Sequence, residues 1–192
     1  MGDNSAIVVL LVDDDSSIRE MISRQLKREG FVTLQAEDGI DGLVNMWSQL
    51  PDVIVSDLQM PRMSGFEFIS VVQQRFPSIP IIVLAGAIPK DLPAEIKPDR
   101  FFEKSSRIMP ELLEALRELA RQAPNEVTAP PAVNVPVRAR AGGAGYVSVP
   151  CTDCMRIFPW PSPTEPNIER QTGVCPHCEA QVPYLIEAES PA

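Results

Sequence analysis

Residues 53–61 read Val-Ile-Val-Ser-Asp-Leu-Gln-Met-Pro, and this stretch decides the fold. A short, nearly continuous apolar run ends on Asp57, and Pro61 and Gly65 then mark a turn. An apolar run without polar alternation is the pattern of a strand buried on both faces, which belongs in a parallel sheet covered by helices. A second run of the same kind, 7–12, ends on Asp13, Asp14 and Asp15. Further strand-like runs at 31–36, 81–84 and 100–102 alternate with amphipathic segments, the order of an α/β domain. Apolar stripes at helical spacing fall on Ile18, Met21, Ile22 and Leu26, with Gly30 as a stop, and on Leu43, Val44 and Trp47. Two more fall on Phe66, Ile69, Val71 and Val72, and on Leu112, Leu113, Leu116 and Leu119. All are expected to pack into the core. Between 86 and 99 the prolines 89, 93 and 98 each remove a helix hydrogen bond, so that segment is expected to be short or irregular.

In a parallel sheet, Asp13 to Asp15 and Asp57 all lie at carboxyl ends of strands, where ligands collect at the point of strand-order reversal. Carboxylates held together raise one another's pKa unless a cation neutralises them. Mg²⁺ fits that need, since it takes oxygen ligands, keeps several waters and bridges to phosphate oxygens. A carboxylate beside it can attack phosphorus in line, and Lys104, just past the fifth run, is placed to offset the developing negative charge. Gly65 is read as a turn residue needing a conformation that glycine reaches cheaply.

The segments VLLVDDD (9–15), VIVSDLQMPRMSG (53–65) and FFEK (101–104) resemble the three signature segments of response-regulator receivers, in their order and near their usual spacing. The resemblance covers roughly residues 7–120. It implies a flavodoxin-like, doubly wound parallel sheet in strand order 2-1-3-4-5. It also implies that Asp57 is the phosphoacceptor and that Lys104 contacts the phosphoryl group. Mg²⁺ would be held by Asp13, Asp14, Asp57 and the backbone of Gln59. The partner implied is a sensor histidine kinase or a phosphotransfer protein, and the chain would accept and slowly lose a phosphoryl group without acting on an outside substrate. Asp15, with Ser16 and Ser17, reads as the start of the first helix. Gln59 lies where receivers tune the lifetime of the phosphoaspartate, and a plain surface glutamine fits equally well.

Three positions depart from the receiver pattern. Ala85, in IIVLAGA (81–87), stands where the family has Thr or Ser, so no hydroxyl is available to bond the phosphoryl group. Phe101 occupies the position of the switch aromatic, often Tyr. Ser105 replaces a cis proline, and a cis bond before a non-proline residue costs about 2.5–4 kcal/mol, so the loop is expected to be strained or differently arranged. These departures motivate a second reading, a pseudo-receiver scaffold that binds partners regardless of phosphorylation.

The receiver-like domain is expected to span 1–121. The stretch 122–145 turns to Pro, Ala, Val and Gly and is read as a linker that lets the two ends move independently. Residues 146–192 form a module too small to rely on a hydrophobic core alone. Its CTDC (Cys151, Cys154) and CPHC (Cys175, Cys178) pairs, twenty residues apart, have the spacing of two knuckles offering four thiolates to one Zn²⁺. The module resembles a zinc ribbon. Iron in a rubredoxin-like site is the main alternative, and disulfides suit a reducing compartment poorly. His177 is read as a turn residue, because four cysteines already fill a tetrahedron. Ile157, Phe158, Trp160 and Tyr184 are read either as a patch for an unidentified protein partner or as packing over the knuckles.

With 17 basic and 26 acidic residues in a chain of 192, a net charge of −9 argues against a nucleic-acid partner. The module itself carries two basic residues, Arg156 and Arg170, against six acidic ones. The run 7–12 is too short for a membrane span and lacks a basic leader, and Ala6 spoils a myristoylation motif, so a cytoplasmic protein is expected. A metal-dependent phosphatase would need a second acid where Gln59 stands. A hydrolase triad is implausible with one histidine.

Overall fold

A computed structural model describes residues 6–87, 93, 96–105, 107–122, 136–141, 145–162 and 171–186. The apolar runs become five parallel strands, β1 (Val8–Val12), β2 (Val32–Ala36), β3 (Val53–Ser56), β4 (Ile81–Ala85) and β5 (Arg100–Glu103), in the order β2-β1-β3-β4-β5. The helices are α1 (Ser16–Arg28), α2 (Gly39–Ser48), α3 (Gly65–Arg75) and α4 (Met109–Gln122). Successive residues of a strand point to opposite faces, and the burial follows that period. Leu10, Val12, Ile54, Ile81 and Val83 join one core with Leu43, Met46, Phe68 and Val72. Val9, Leu11, Val53, Val55, Ile82 and Leu84 join the other with Ile22, Leu26, Leu112 and Leu116. This is the flavodoxin-like architecture expected. Of the segment read as irregular between 86 and 99, residues 88–92, 94 and 95 lie outside the described residues, and the described ones are in neither helix nor strand.

Local signals explain the helix ends. Asp15 caps α1, its carboxylate accepting from the N–H groups of Ser17 (2.8 Å) and Ile18 (3.2 Å). At the other end Gly30, at φ 88°, lets its own N–H reach the carbonyl of Lys27, while the N–H of Phe31 reaches that of Leu26. That pair of bonds stops the helix and packs Phe31 near Leu26 in one core. Ser64 and Glu67 form a reciprocal capping box on α3. The expected stripe of α2 is corrected: Val44 and Trp47 are 62% and 65% exposed, and the buried face is Gly39, Gly42, Leu43 and Met46. A Cβ on Gly42 would stand 2.8 Å from the ring of Phe68, so the glycines let α2 press against α3. Met21 is likewise half-exposed.

The C-terminal part is a second five-stranded sheet of β6 (Val137–Ala141), β7 (Tyr146–Pro150), β8 (Ile157–Pro161), β9 (Gln171–Val174) and β10 (Gln181–Ile186), in the order β8-β7-β6-β10-β9. β6 runs parallel to β10, and the other pairings are antiparallel. The stretch 122–145 is therefore not linker throughout. Its residues 137–141 read Val-Arg-Ala-Arg-Ala, an alternation of period two that supports a strand with Val137 and Ala139 fully buried. The two parts, expected to move independently, also touch each other. β6 lies against α3, the Gln74 Nε2 donates to the carbonyl of Pro136 at 3.2 Å, and the buried residues of both sheets form one contiguous cluster.

The module has more core than its length suggests. Val137, Ala139, Val147, Val149, Phe158, Val182 and Tyr184 are buried together with Cys151 and Cys175. Phe158 and Trp160 meet edge to face with centroids 6.2 Å apart. Of the residues left open between partner patch and internal packing, Phe158 and Tyr184 are internal, and Ile157 and Trp160 are half-buried against the same cluster.

Candidate functional site

Strand register brings the acidic site together. Val12 pairs with Ser56, and the N–H of Asp57 donates to the carbonyl of Val12 at 2.8 Å, so Asp13 and Asp57 leave adjacent strands at one level. Ala85 pairs with Glu103, and the N–H of Lys104 donates to the carbonyl of Ala85 at 2.8 Å. This carries the lysine to the same edge. There the Lys104 Nζ lies 2.8 Å from the Asp13 Oδ2 and 2.7 Å from the Asp57 Oδ2. The other oxygen of Asp57 accepts from the Leu58 N–H at 2.6 Å and, weakly, from that of Gln59 at 3.5 Å. Asp13 accepts from the Asp15 N–H at 2.9 Å, and its carbonyl accepts from the Arg19 guanidinium.

Carboxylate oxygens of Asp13, Asp14 and Asp57 approach one another within 4.8 Å. Asp13 and Asp57 are buried and Asp14 is exposed. Burial pushes the Asp13 carboxyl above its usual range, against the lowering pull of Lys104. Burial also works against the Lys104 ammonium, but its hydrogen bonds and charge interactions with Asp13 and Asp57 outweigh that and raise its pKa. One ammonium faces three carboxylates, so the cluster has the oxygen-rich, electron-rich donor set of a hard divalent cation, open to solvent on the Asp14 side.

Gly65 serves the site by a route other than the one expected. Its φ is not positive. A Cβ there would stand 1.9 Å from the Asp57 carbonyl oxygen and 2.7 Å from the Leu58 Cα, so glycine is required by close approach. Its N–H donates to the Leu58 carbonyl at 2.9 Å. The left-handed residue of this loop is Arg62, at φ 57°. Its guanidinium pairs with Glu37 (2.6 Å), Asp38 and Asp41 (3.2 Å), clamping the loop after Asp57 to the start of α2. Sequence reading missed this clamp because its partners lie 21 to 25 residues earlier in the chain. Ala85 is buried at the end of β4, its methyl standing where the resemblance expects a hydroxyl, and Phe101 is half-buried on β5. No cis peptide bond occurs among the described residues.

A second cluster joins the two cysteine turns. Cys151–Cys154 lies between β7 and β8, and Cys175–Cys178 between β9 and β10. Both turns close alike: the first cysteine's N–H donates to the carbonyl five residues on, Cys151 to Arg156 at 2.8 Å and Cys175 to Ala180 at 2.9 Å. The residue after each pair, Met155 or Glu179, is left-handed. The thiols are free, with Cys151 and Cys178 sulfurs 3.6 Å apart and Cys154 and Cys175 sulfurs 3.6 Å apart. That is far beyond a disulfide bond and close to the edge, about 3.8 Å, of a tetrahedron with metal–sulfur bonds of about 2.3 Å. Burial drives the Cys151 thiol well up. At Cys175 burial also acts upward, but N–H groups of His177 and Cys178 directed at the sulfur prevail and lower it.

A strand-order reversal flanked by buried aspartates, with a lysine just past β5 bridging them, places a polar ligand site at the switch point of a doubly wound α/β domain. The chain's similarities agree. Residues 9–97 match the family described as response regulator receiver domain. The DNA-binding transcriptional regulator NtrC of Proteus hauseri is 38% identical over 78 residues, which is 41% of this chain and 16% of that protein. The chain thus spans about a sixth of that curated relative. Among solved structures, the response regulator TrrA of Thermotoga maritima in complex with Mg²⁺ and BeF is 30% identical, with a TM-score of 0.55, covering 59% of this chain and 98% of that one. The chemotaxis response regulator CheY4 of Vibrio cholerae is 31% identical, with a TM-score of 0.54, covering 60% of this chain and 99% of that one. The N-terminal part of the chain belongs to the response regulator receiver domain family of two-component signalling. Mg²⁺ binding is typical of such domains, and their partners are sensor kinases or phosphotransfer proteins. Among the described residues no helix is long and apolar enough to cross a membrane.

Proposed function

We propose that this chain is a response regulator phosphorylated on Asp57, with its cysteine module as a protein-interaction output. The observation that carries the reading is Lys104, whose ammonium bridges Asp57 and Asp13 inside the three-carboxylate cluster. Asp13, Asp14, Asp57 and the backbone carbonyl of Gln59 are the groups that would hold Mg²⁺, which when bound neutralises phosphoryl oxygens and the carboxylates around them. One oxygen of Asp57 attacks phosphorus as the donor's P–N or P–O bond breaks, and the electron pair leaves with the donor. The Leu58 N–H holds the Asp57 carboxylate in orientation, and Lys104 passes from the carboxylate to a phosphoryl oxygen as charge moves there. The donor is a sensor histidine kinase, a phosphotransfer protein or a small phosphodonor. The slow loss of the group to water is an event at Asp57 itself, with no outside substrate.

Cys151, Cys154, Cys175 and Cys178 are the groups that would hold Zn²⁺, with Fe as the alternative, since a tetrahedral thiolate site accepts either. The pairwise 3.6 Å spacings support this reading. The acidic balance of the module favours a protein partner over nucleic acid. The NtrC relative is DNA-binding by its name, but its similarity is confined to 78 residues of this chain. We place the protein in the cytoplasm, where thiols stay reduced.

Ala85 supports one other reading, a scaffold indifferent to phosphorylation, because the phosphoryl group would find no hydroxyl at the end of β4. Amide spectra with fluoroberyllate and Mg²⁺ test the first reading: shifts around Asp57 are expected, and silence there would count against it. An Asp57→Ala chain that preserves the full biological output would favour the scaffold.

A further inference from the structure

α3 runs from the loop after Asp57 to the first strand of the cysteine module. At its first residue, Gly65 packs against the Asp57 carbonyl so closely that no Cβ fits, and its N–H bonds the Leu58 carbonyl. At its last turn, Gln74 Nε2 donates to the Ser70 Oγ at 3.3 Å and to the Pro136 carbonyl at 3.2 Å, immediately ahead of β6. Ser70 is only 4% exposed, although polar residues of a surface helix ordinarily face water. Beside it, Gln73 donates to the Lys97 carbonyl at 2.6 Å on the way into β5. The location of β6 is not imposed by chain connection. Residues 123–136 separate it from α4, and fourteen residues reach up to about 50 Å.

β6 is also the strand on which the cysteine site depends. It lies between β7, which runs into Cys151, and β10, which follows Cys178. A shift of β6 therefore changes how the two knuckles face each other, and a four-thiolate site needs both.

We propose that the outer face of α3 is the receiver's docking surface for the chain's own cysteine module. β6 is its contact strand, and through this contact the state of Asp57 and the occupancy of the four cysteines influence each other. The inference rests on the phosphosite and metal readings given above. It supplies an output route along α3 that does not use the hydroxyl missing at Ala85. A helix is stiff along its axis, so a displacement of the loop at Gly65 reaches Gln74 with little loss.

The test uses the full chain, zinc-loaded, with fluoroberyllate and Mg²⁺ as the phosphoryl mimic. Two readouts are taken: amide hydrogen exchange of residues 137–141, and apparent zinc affinity by competition with a chromophoric chelator. In the native chain the mimic is expected to change both by about fivefold, the lower end of ordinary coupling between sites. Gln74→Ala, and equally Gln74→Met, which keeps length without a donor, should raise basal β6 exchange about fivefold, the factor of one net hydrogen bond, and abolish the response to the mimic. The proposal is overturned if amides around Asp57 respond while β6 exchange and zinc affinity do not, or if both Gln74 variants keep the full response. Absence of any response around Asp57 sinks the phosphosite reading and this proposal with it. A chain that takes up no zinc sinks the metal reading and overturns the link to cysteine occupancy with it, while β6 exchange in that chain still shows separately whether α3 carries the state of Asp57 to the module.

Discussion

Replacing Gly65 with Ala tests the packing behind the phosphoacceptor. The added methyl would stand 1.9 Å from the Asp57 carbonyl oxygen and 2.7 Å from the Leu58 Cα. Both are backbone atoms, so no rotamer change relieves the clash, and either α3 or the loop after Asp57 must move. Overpacking of this kind costs about 1–3 kcal/mol. The move also stretches the 2.9 Å bond from the Gly65 N–H to the Leu58 carbonyl, worth about 1 kcal/mol net. Ala gains up to about 1 kcal/mol over Gly in helix propensity. The balance is a destabilisation of about 1–3 kcal/mol, read by urea denaturation as a lower midpoint at unchanged slope. Since the displaced carbonyl belongs to Asp57, phosphorylation by acetyl phosphate should slow in the same variant. A Gly65→Ala chain within about 0.5 kcal/mol of the native one would show that the close approach is not structural, and the reasoning about α3 would fail at its first residue.

Lys104→Met removes the only ammonium bonded to Asp57 among the described residues. It is expected to lower the rate of phosphorylation by about a hundredfold, measured by quench-flow or mass spectrometry, with Mg²⁺ affinity retained. Asp15→Ala deletes the cap that accepts from Ser17 and Ile18 and should cost about 1 kcal/mol in chemical denaturation. Stripping the cysteine module with a strong chelator under reducing conditions should loosen both knuckles. The expected signs are rapid proteolysis between 145 and 186 and loss of the near-ultraviolet signal of the Phe158–Trp160 pair, while the receiver part keeps its secondary structure.

What the sequence revealed followed physical period and spacing. The apolar runs ending on Asp13 and Asp57 were legible because a strand covered on both faces leaves no polar alternation, and the two carboxylates then had to meet at one sheet edge. The CxxC pairs were legible because their spacing is local. The face of α2 was misread since large apolar residues draw attention, yet Val44 and Trp47 point outward while Gly39 and Gly42 admit Met63 and Phe68. β6 was hidden in a Pro- and Ala-rich stretch, although its Val-Arg-Ala-Arg-Ala alternation was present. The Arg62 clamp and the Gln74 bond to Pro136 left no local trace, because each joins segments distant in the chain.

The central claim is that Asp57 accepts a phosphoryl group with the help of Asp13, Asp14 and Lys104. Intact-protein mass spectrometry after incubation with acetyl phosphate and Mg²⁺, run beside an Asp57→Asn control, tests it most directly. A gain of one phosphoryl mass, removed by hydroxylamine and missing in the control, is the predicted result; no gain in the native chain, from acetyl phosphate or from histidine kinases, would contradict it.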